Sequence, residues 1–319
     1  MQRQISKFEQ KMVEDLKKII ETKRECRVVR IKRLSKATMT DVFKVETDKD
    51  TVVARIFKKK DFPDCKKLIW IDAALQAHKI DSARVLFCTQ ESKPFRYGFM
   101  LLEYVDGRDG WSAMKSGDVS LRDYFVRLGK LLRQIHAIKV GKTGAIKISS
   151  FDNDFQWFEK LLTSFQSKVN FPNEVLLEMQ RFVIQTLSCF SPRFKSVLCH
   201  CDLGPYNTIY TKEGGIIPID WDLAEAGSLF RDFAPITMAV KEMDDFGERE
   251  SVIREIQEFF LEGYGKTGFT IAEIQRILDA HHLISLIYNA LACGNTLKDK
   301  KHLANVKKEI GKIMNNYSI

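Results

Sequence analysis

The sequence has few prolines, no dominant residue type and no long apolar run. Only 7 of its 319 residues are proline, while 45% are apolar and 11% aromatic, which excludes disordered, collagenous and low-complexity chains. The longest stretch without a charged side chain, residues 280–297, contains two histidines and two asparagines, so we predict a buried helix there rather than a membrane span. The first twenty residues mix acidic and basic side chains, and we expect no secretory segment.

The cysteines lack the paired spacings of a disulfide framework. There are seven, an odd number, scattered along the chain, which favours a reducing, cytoplasmic location. Cys199, His200 and Cys201 suggest a metal cluster, but ligands one residue apart do not have the usual spacing of structural zinc sites. We therefore favour an ordinary loop over zinc at this position.

The net charge of +9 lies entirely in the first third of the chain. Residues 1–103 hold 24 basic and 15 acidic side chains, whereas residues 104–319 hold 27 of each. Such an excess can attract nucleic acid or an anionic membrane, or serve a polyphosphate ligand, but a solvated face is the commoner reason. We expect neither a nucleic acid nor a membrane as partner.

The spacing of apolar residues changes several times over the first hundred residues. Apolar residues recur at helical spacing over residues 5–26 and again over 64–78. Short runs rich in Val, Ile and Phe, separated by polar turns, predict five antiparallel strands over residues 27–34, 41–47, 51–57, 83–90 and 97–104. The Asp106-Gly107 pair then ends the pattern.

Most of the remaining chain has a helical period. The predicted helices cover residues 121–138, 155–169, 173–188, 251–264 and 271–291. Short apolar runs bounded by Gly and Pro interrupt them between residues 197 and 222, which predicts a hairpin set among helices.

This hairpin segment carries the most informative motif. His200, Asp202 and Asn207 form the pattern H-x-D-x-x-x-x-N, and an apolar run ends in Asp220 thirteen residues after Asn207. Two oxygen donors at the mouth of a hairpin can hold Mg²⁺ against nucleotide phosphates, while a further carboxylate accepts a proton from an attacking hydroxyl. Each residue alone is typical of a turn. The prediction of phosphoryl transfer rests on their occurring together and in order.

The pattern resembles the catalytic and metal-binding loops of the aminoglycoside phosphotransferase and choline kinase family. The likeness is specific over residues 197–235, where Asp220-Trp221-Asp222 is followed by Gly227 and Asp232. Carried over to the matching positions, it implies that Asp202 is the catalytic base, that Asn207 and Asp220 bind Mg²⁺, and that His200 holds the loop by hydrogen bonds.

The resemblance also implies a fold. We expect an α+β, bilobal, protein-kinase-like architecture, with a small antiparallel-sheet lobe over residues 1–103 and a mainly helical lobe over residues 104–319. The resemblance leaves the oligomeric state open.

Three residues of the smaller lobe are candidates for nucleotide binding. The run Val-Val-Ala-Arg at residues 52–55 matches the V-A-x-K pattern of the third kinase strand, with Arg55 as the phosphate-binding cation. Arg suits this position because a guanidinium stays charged and can bond phosphate oxygens bidentately. Thr38, in a turn that contains no glycine, is a second candidate. No Glu occurs on the inserted helix, so we favour Asp72 over Asp64 as the acidic partner of Arg55.

The segment Leu-Glu-Tyr-Val-Asp-Gly at residues 102–107 resembles the hinge of the family. There, the backbone carbonyl of Glu103 and the backbone amide of Val105 would bond the adenine. The segment 131–144 likewise resembles a helix of the family that ends in a histidine, and we interpret His136 as a helix-packing residue.

An acidic cluster bears on the substrate. Asp244, Asp245 and Glu248 lie within residues 241–250. In aminoglycoside kinases, acids of the helical lobe bind the cationic drug, so the cluster indicates a positively charged substrate. A solvated helix end is an equally good reading.

The function implied is the Mg²⁺-dependent transfer of the γ-phosphate of ATP or GTP to a hydroxyl of a small molecule, such as a cationic aminoglycoside. A protein Ser/Thr kinase is the first alternative, but the chain lacks a Gly-rich loop and an Ala-Pro-Glu element after Asp220. A catalytically inactive nucleotide-binding or scaffolding module is the second. Such a module would not need Asp202, Asn207 and Asp220, so their presence counts against this alternative.

Overall fold

The computed structural model describes residues 7–36, 39–90, 93–140, 145–147, 151–168, 172–239, 249–292 and 300–317. Its contacts divide the chain into two compact units, Met1–Ala113 with Asn207–Asp222, and Met114–Tyr206 with Leu223–Ile319. The first unit therefore takes in a segment that is distant in sequence. The predicted division at residue 103 stays a prediction.

The first unit is built on a five-stranded antiparallel sheet, as predicted. Its strands are β1 (Val28–Lys36), β2 (Thr40–Thr47), β3 (Thr51–Phe57), β4 (Val85–Thr89) and β5 (Phe99–Glu103). They are hydrogen-bonded in the order β1-β2-β3-β5-β4, so β3 is the central strand. Burial alternates along most of β2, whereas the last four residues of β3 are all buried. The apolar runs in the sequence match these buried positions.

Helix α1 (Lys7–Arg24) packs its apolar stripe against the sheet. Leu16 and Ile20 are fully buried in one cluster with Phe43, Val45 and Phe99 of the strands. The charged faces of the helix follow from the same spacing, since residues three and four apart share one side of a helix.

Helix α2 (Cys65–Ala77) begins at Asp64, whose carboxylate accepts hydrogen bonds from the backbone N–H groups of Lys66 and Lys67. Cys65 in its first turn forms a disulfide with Cys88 of β4. The expectation of a chain without disulfides is therefore wrong. The two cysteines are 23 residues apart, and only the fold brings them together. The cysteine pattern no longer favours a reducing compartment.

A second, three-stranded sheet completes the first unit. It consists of β6 (Arg108–Asp109), β8 (Thr208–Tyr210) and β9 (Ile216–Pro218), in the order β6-β8-β9. Gly107, just before β6, is packed so closely that a Cβ atom there would lie 2.4 Å from the carbonyl oxygen of Tyr210. This close approach explains why the chain needs glycine at that position.

The second unit is mainly helical, as predicted. Its elements are α4 (Leu121–His136), α5 (Phe151–Lys168), α6 (Asn173–Phe190), β7 (Val197–Cys199), β10 (Glu225–Gly227), α7 (Phe230–Ala239), α8 (Arg249–Tyr264), α9 (Ile271–Ala292) and α10 (Lys300–Asn315). A short helix, α3 (Gly110–Lys115), precedes them. One core cluster is shared by α5, α6, α9 and α10, and its fully buried members include Phe165, Met179 and Leu283.

Helix α9 contains the first part of the charge-free stretch, and its buried residues include Ala280, Leu283 and Ile287. The prediction of a buried helix is confirmed there, while residues 293–297 lie outside the described residues. Among the described residues, no helix combines the length and the hydropathy that crossing a membrane requires.

Candidate functional site

Arg55 lies on the central strand of the first unit. On β3 it is opposite Val42 of β2 and Met100 of β5, and the residue is only 6% exposed. A buried guanidinium keeps its charge, so its cost of desolvation must be offset by carboxylates and hydrogen bonds.

Two aspartates that follow β9 supply those carboxylates. Arg55 Nη1 donates to Asp222 Oδ1 at 3.1 Å, and Nη2 donates to Asp222 Oδ2 at 2.6 Å. Nη2 also donates to Asp220 Oδ1 at 3.2 Å. The contact with Asp222 is a two-pronged guanidinium–carboxylate pair with both side chains 8% exposed, whereas the side chain of Asp220 is 45% exposed.

The electrostatics of this group follow from its burial. Burial raises the pKa of Asp222 to about 6; the charge of Arg55 opposes that change and the neighbouring Asp220 adds to it. Burial acts to lower the pKa of Arg55, but the charges and hydrogen bonds of Asp220 and Asp222 outweigh it and raise that pKa. Arg55 is therefore a permanent cation between two acids.

The structure corrects the expected acidic partner of Arg55. Asp72 of α2 accepts a hydrogen bond from Gln76 Nε2 at 2.6 Å, and the carboxylates on Arg55 come from beyond β9 instead. Helix α2 contributes a cation to this region, since Lys67 Nζ donates to the backbone carbonyl of Asp222 at 2.6 Å. Lys67 thereby fixes the segment that carries both aspartates.

Asn207 and Asp220 lie at the same end of the β8–β9 hairpin. Thr208 pairs with Pro218, and one step further the amide of Ile219 donates to the carbonyl of Asn207 at 2.9 Å. Asp220 follows with a left-handed backbone (φ 65°). An amide oxygen and a half-exposed carboxylate are hard ligands of the type Mg²⁺ prefers, so this pair fits the predicted metal site chemically.

Asp202 belongs to the second unit and is exposed. It lies three residues beyond β7, which pairs with β10 through Cys199 opposite Glu225 and Val197 opposite Gly227. Cys201, immediately before it, has a left-handed backbone (φ 66°). Such a conformation in a non-glycine residue needs support from its surroundings.

Asp232 of α7 gives that support. It is fully buried, and its carboxylate accepts the backbone N–H groups of His200 at 3.0 Å and Cys201 at 2.6 Å. His136 Nε2 lies 3.0 Å from the same carboxylate, and His136 Nδ1 lies 2.8 Å from the hydroxyl of Tyr264. A buried network of this kind fixes the backbone that leads to Asp202.

This network explains a buried group that resembles a metal site. Within the described part of the chain, three possible metal-ligating atoms lie within 4.8 Å of one another, one each from His136, Cys199 and Asp232. Both oxygens of Asp232 already accept hydrogen bonds. Burial raises the pKa of Cys199 far above its usual value, and its Sγ donates to the carbonyl of Ser228 at 3.3 Å. Because both oxygens of Asp232 are engaged and the thiol of Cys199 donates to a carbonyl, we interpret the group as structural.

Other predicted site residues are located but not brought together by a described contact. Glu103 ends β5, and Val105 lies two residues further in irregular chain. Their bonds to adenine stay predictions. Thr38 lies outside the described residues, as do Asp244, Asp245 and Glu248.

Sequence reasoning gave no role to Asp222, Lys67 or Asp232. Asp222 and Asp232 were visible as acids of the matched motif, but their partners are distant in the chain, at Arg55 and at His136. Lys67 carried no signal in the sequence. His200 was expected to hold the loop, and its backbone N–H does bond to Asp232.

Comparison with known proteins decides the family. The model of the phosphotransferase enzyme family matches residues 30–270, which is most of the chain. The chain belongs to this family. The predicted family and the prediction of a phosphotransferase are therefore confirmed. No curated protein sequence matches the chain significantly.

Solved structures share the phosphotransferase's α+β fold. An AMP-bound spectinomycin phosphotransferase, APH(9)-Ia, is 16% identical with a TM-score of 0.64, covering 94% of each chain. The choline kinase LicA from Streptococcus pneumoniae is 15% identical with a TM-score of 0.63, covering 95% of this chain and 99% of its own. The GDP and kanamycin complex of APH(2")-IIia is 14% identical with a TM-score of 0.67 and the same coverage. The predicted fold class is thus confirmed.

Proposed function

We propose that this phosphotransferase moves the γ-phosphate of ATP or GTP to a hydroxyl of a small molecule, with Mg²⁺ bound by Asn207 and Asp220 and with Asp202 as the base. The observation that carries the proposal is the buried Arg55 cation held beside the half-exposed Asp220 carboxylate. A cation for the phosphates and a carboxylate suited to the metal ion are two of the groups that recur in phosphoryl-transfer sites.

Arg55 is suited to bind phosphate without losing its position. Its two bonds to Asp222 are buried, whereas the bond to Asp220 is longer and on the more exposed side. Phosphate oxygens would replace Asp220 on Nη2, while Asp222 would keep the guanidinium oriented. Asp220 would then be released to the metal ion. When bound, Mg²⁺ offsets the negative charge of the phosphate oxygens.

In the proposed reaction, Asp202 orients the acceptor hydroxyl and takes its proton. The hydroxyl oxygen forms a bond to the γ-phosphorus as the bond from that phosphorus to the bridging oxygen breaks. The products are a phosphate ester and the nucleoside diphosphate, with the proton on Asp202. The bonds from Asp232 to the backbone just before Asp202 support this role, because a base must be held in place to act.

For the substrate we propose only a chemical class. A cationic acceptor is favoured by the acidic residues Asp244, Asp245 and Glu248 in the sequence. Proteins of similar fold include spectinomycin and macrolide phosphotransferases and a choline kinase. We place the reaction in the cytoplasm, since nucleoside triphosphates are available there.

The test is release of nucleoside diphosphate with a panel of aminoglycosides, macrolides, choline, sugars and homoserine, each assayed with ATP and with GTP. We expect one class to stimulate release strongly and Mg²⁺ chelation to abolish it. If nucleotide binds but no acceptor, including a protein hydroxyl, stimulates release, the inactive-module alternative is correct. Stimulation by a protein substrate alone favours the Ser/Thr kinase.

A further inference from the structure

A pocket in the first unit includes Arg55 and Asp220 in its wall, but its other lining residues have no part in the proposed chemistry. It contains about 400 Å³ of space not filled by protein atoms, part of it open to solvent. Its apolar walls come from α2, β4 and β5 and include Leu68, Ile71, Leu75, Val85, Met100 and Leu102. Mainly apolar walls with a few polar groups are typical of ligand sites.

Two polar atoms in this pocket have no hydrogen-bond partner among the described residues. They are Asp72 Oδ1 and Ser82 Oγ, and both atoms are buried. The other carboxylate oxygen of Asp72 accepts from Gln76. Buried polar atoms are nearly always hydrogen-bonded, because an unpaired one has lost water and gained nothing in return.

The surroundings of Asp72 point to a cationic donor. Burial raises the pKa of its carboxyl, although the Val85 amide and the charge of Arg84 partly oppose that change. The other charged groups on the pocket wall, Arg55 and Asp220, already pair with each other. Asp72 is thus the one carboxylate of the described pocket wall that is not paired with a cation.

We propose that this pocket binds a small aliphatic ammonium ion. Its N–H groups would donate to Asp72 Oδ1 and Ser82 Oγ, and its alkyl chain would lie against the apolar side chains of Ile71, Leu75 and Leu102. Arg55 and Asp220 belong to the same wall. Occupancy would therefore reach the groups proposed to bind phosphate and metal, although the binding itself does not depend on that function.

The experiment uses the full chain without nucleotide and two probes of equal shape. Titration with n-butylamine and with n-butanol is followed by backbone amide chemical shifts around Ile71 and Val85. We expect saturable shifts with n-butylamine and at least about tenfold weaker binding of n-butanol, because only the amine makes a charge-assisted bond.

Substitutions in and beside the pocket test the assignment. Asp72→Asn is expected to weaken n-butylamine binding by about tenfold or more, and Ala83→Leu, which narrows the pocket, is expected to weaken both probes. Asp81→Asn is the matched control, because Asp81 is an exposed acid next in sequence to Ser82. If Asp72→Asn fails to fold, Ser82→Ala, which we expect to weaken the amine selectively, takes its place.

Several results would overturn the proposal. They are the absence of saturable shifts, equal affinity for the two probes, and wild-type affinity for n-butylamine in Asp72→Asn or Ala83→Leu. Without saturable shifts the pocket holds water only, and with equal affinities it is an apolar site that does not select an ammonium ion. Because no nucleotide is present, these results are independent of whether the phosphotransfer proposal is correct.

Discussion

Asp222 holds Arg55 through two hydrogen bonds of 2.6 and 3.1 Å, and both side chains are almost completely buried. The pair joins a strand of the five-stranded sheet to the segment beyond the β8–β9 hairpin. A lysine ammonium carries its donors on one nitrogen and lacks the planar fork that matches both carboxylate oxygens, which gives a physical reason for arginine at this position.

Removal of Asp222 is expected to destabilise the protein strongly. Asp222→Ala leaves the buried Arg55 with only the longer contact to Asp220, and breaking a buried pair in this way costs about 3–5 kcal/mol. Urea unfolding measures the loss. Asp106→Ala is the control, since it removes an exposed carboxylate paired with Lys212 and is expected to change the free energy of unfolding little. Similar small effects in both variants would show that the buried pair does not stabilise the fold.

Arg55 is also predicted to bind the nucleotide. Arg55→Ala is expected to weaken ATP binding by about 1.5–3 kcal/mol, the usual range for a charge-assisted hydrogen bond. Arg55→Lys keeps the cation but not the two-pronged contact, so we expect reduced yet measurable activity. Calorimetric titration of ATP into folded protein is the measurement. Equal ATP affinity in wild type and Arg55→Ala would leave Arg55 a purely structural residue.

The disulfide between Cys65 and Cys88 is expected to stabilise the first unit. Closing a loop over a sequence separation of 23 residues contributes about 3 kcal/mol in the chain-entropy model. Cys88→Ser is expected to lose this contribution and to become insensitive to reductant in urea unfolding. The exposed free cysteine Cys189 offers the control Cys189→Ser. A wild-type stability that is the same with and without reductant would contradict the bond.

Acid unfolding is expected to depend on Glu273. Its hydrogen bonds to Arg193 (2.6 Å) and to the backbone N–H of Thr270 (2.7 Å) lower its pKa from 4.5 to about 2. Because the folded protein binds this proton less readily than the unfolded chain, the stabilisation is complete above pH 4.5 and is lost as the pH falls towards 2. Glu273→Gln is expected to be less stable at pH 7. Its free energy of unfolding is expected to fall less steeply as the pH is lowered.

The measurement is the free energy of unfolding between pH 2 and pH 7. Glu262→Gln serves as the control, since Glu262 pairs with Arg122 at the surface. If the free energy of unfolding of Glu273→Gln falls as steeply with decreasing pH as that of the wild type, the contacts of this carboxylate do not set its pKa.

Single strands and helices could be predicted because the spacing of apolar residues within each element is visible in the sequence. The strand over Thr51–Phe57 was predicted to the residue, and helix α2 to within one residue at each end. Strands β6 and β10, with two and three residues, are too short to have a period. Helix α10 was missed although Val306, Ile310 and Ile313 recur at helical spacing.

The candidate site was predictable only where a motif carried it. Asp202, Asn207 and Asp220 stand in one ordered pattern. The contacts that hold the site join residues far apart in sequence, such as Arg55 with Asp222 and His200 with Asp232. Such pairs depend on tertiary packing, which a single sequence does not display. The same is true of Cys65 and Cys88.

The most direct test of the proposed function is single-turnover transfer of a labelled γ-phosphate from ATP to an accepted small molecule, in wild type and in Asp202→Asn. We predict that the wild type moves the label onto the acceptor in a Mg²⁺-dependent reaction. The variant is expected to bind ATP with unchanged affinity but to react at least about 10²-fold more slowly, as for the loss of a general base. A variant rate within about threefold of the wild type, or no transfer to any acceptor by folded wild type that binds ATP, would contradict it.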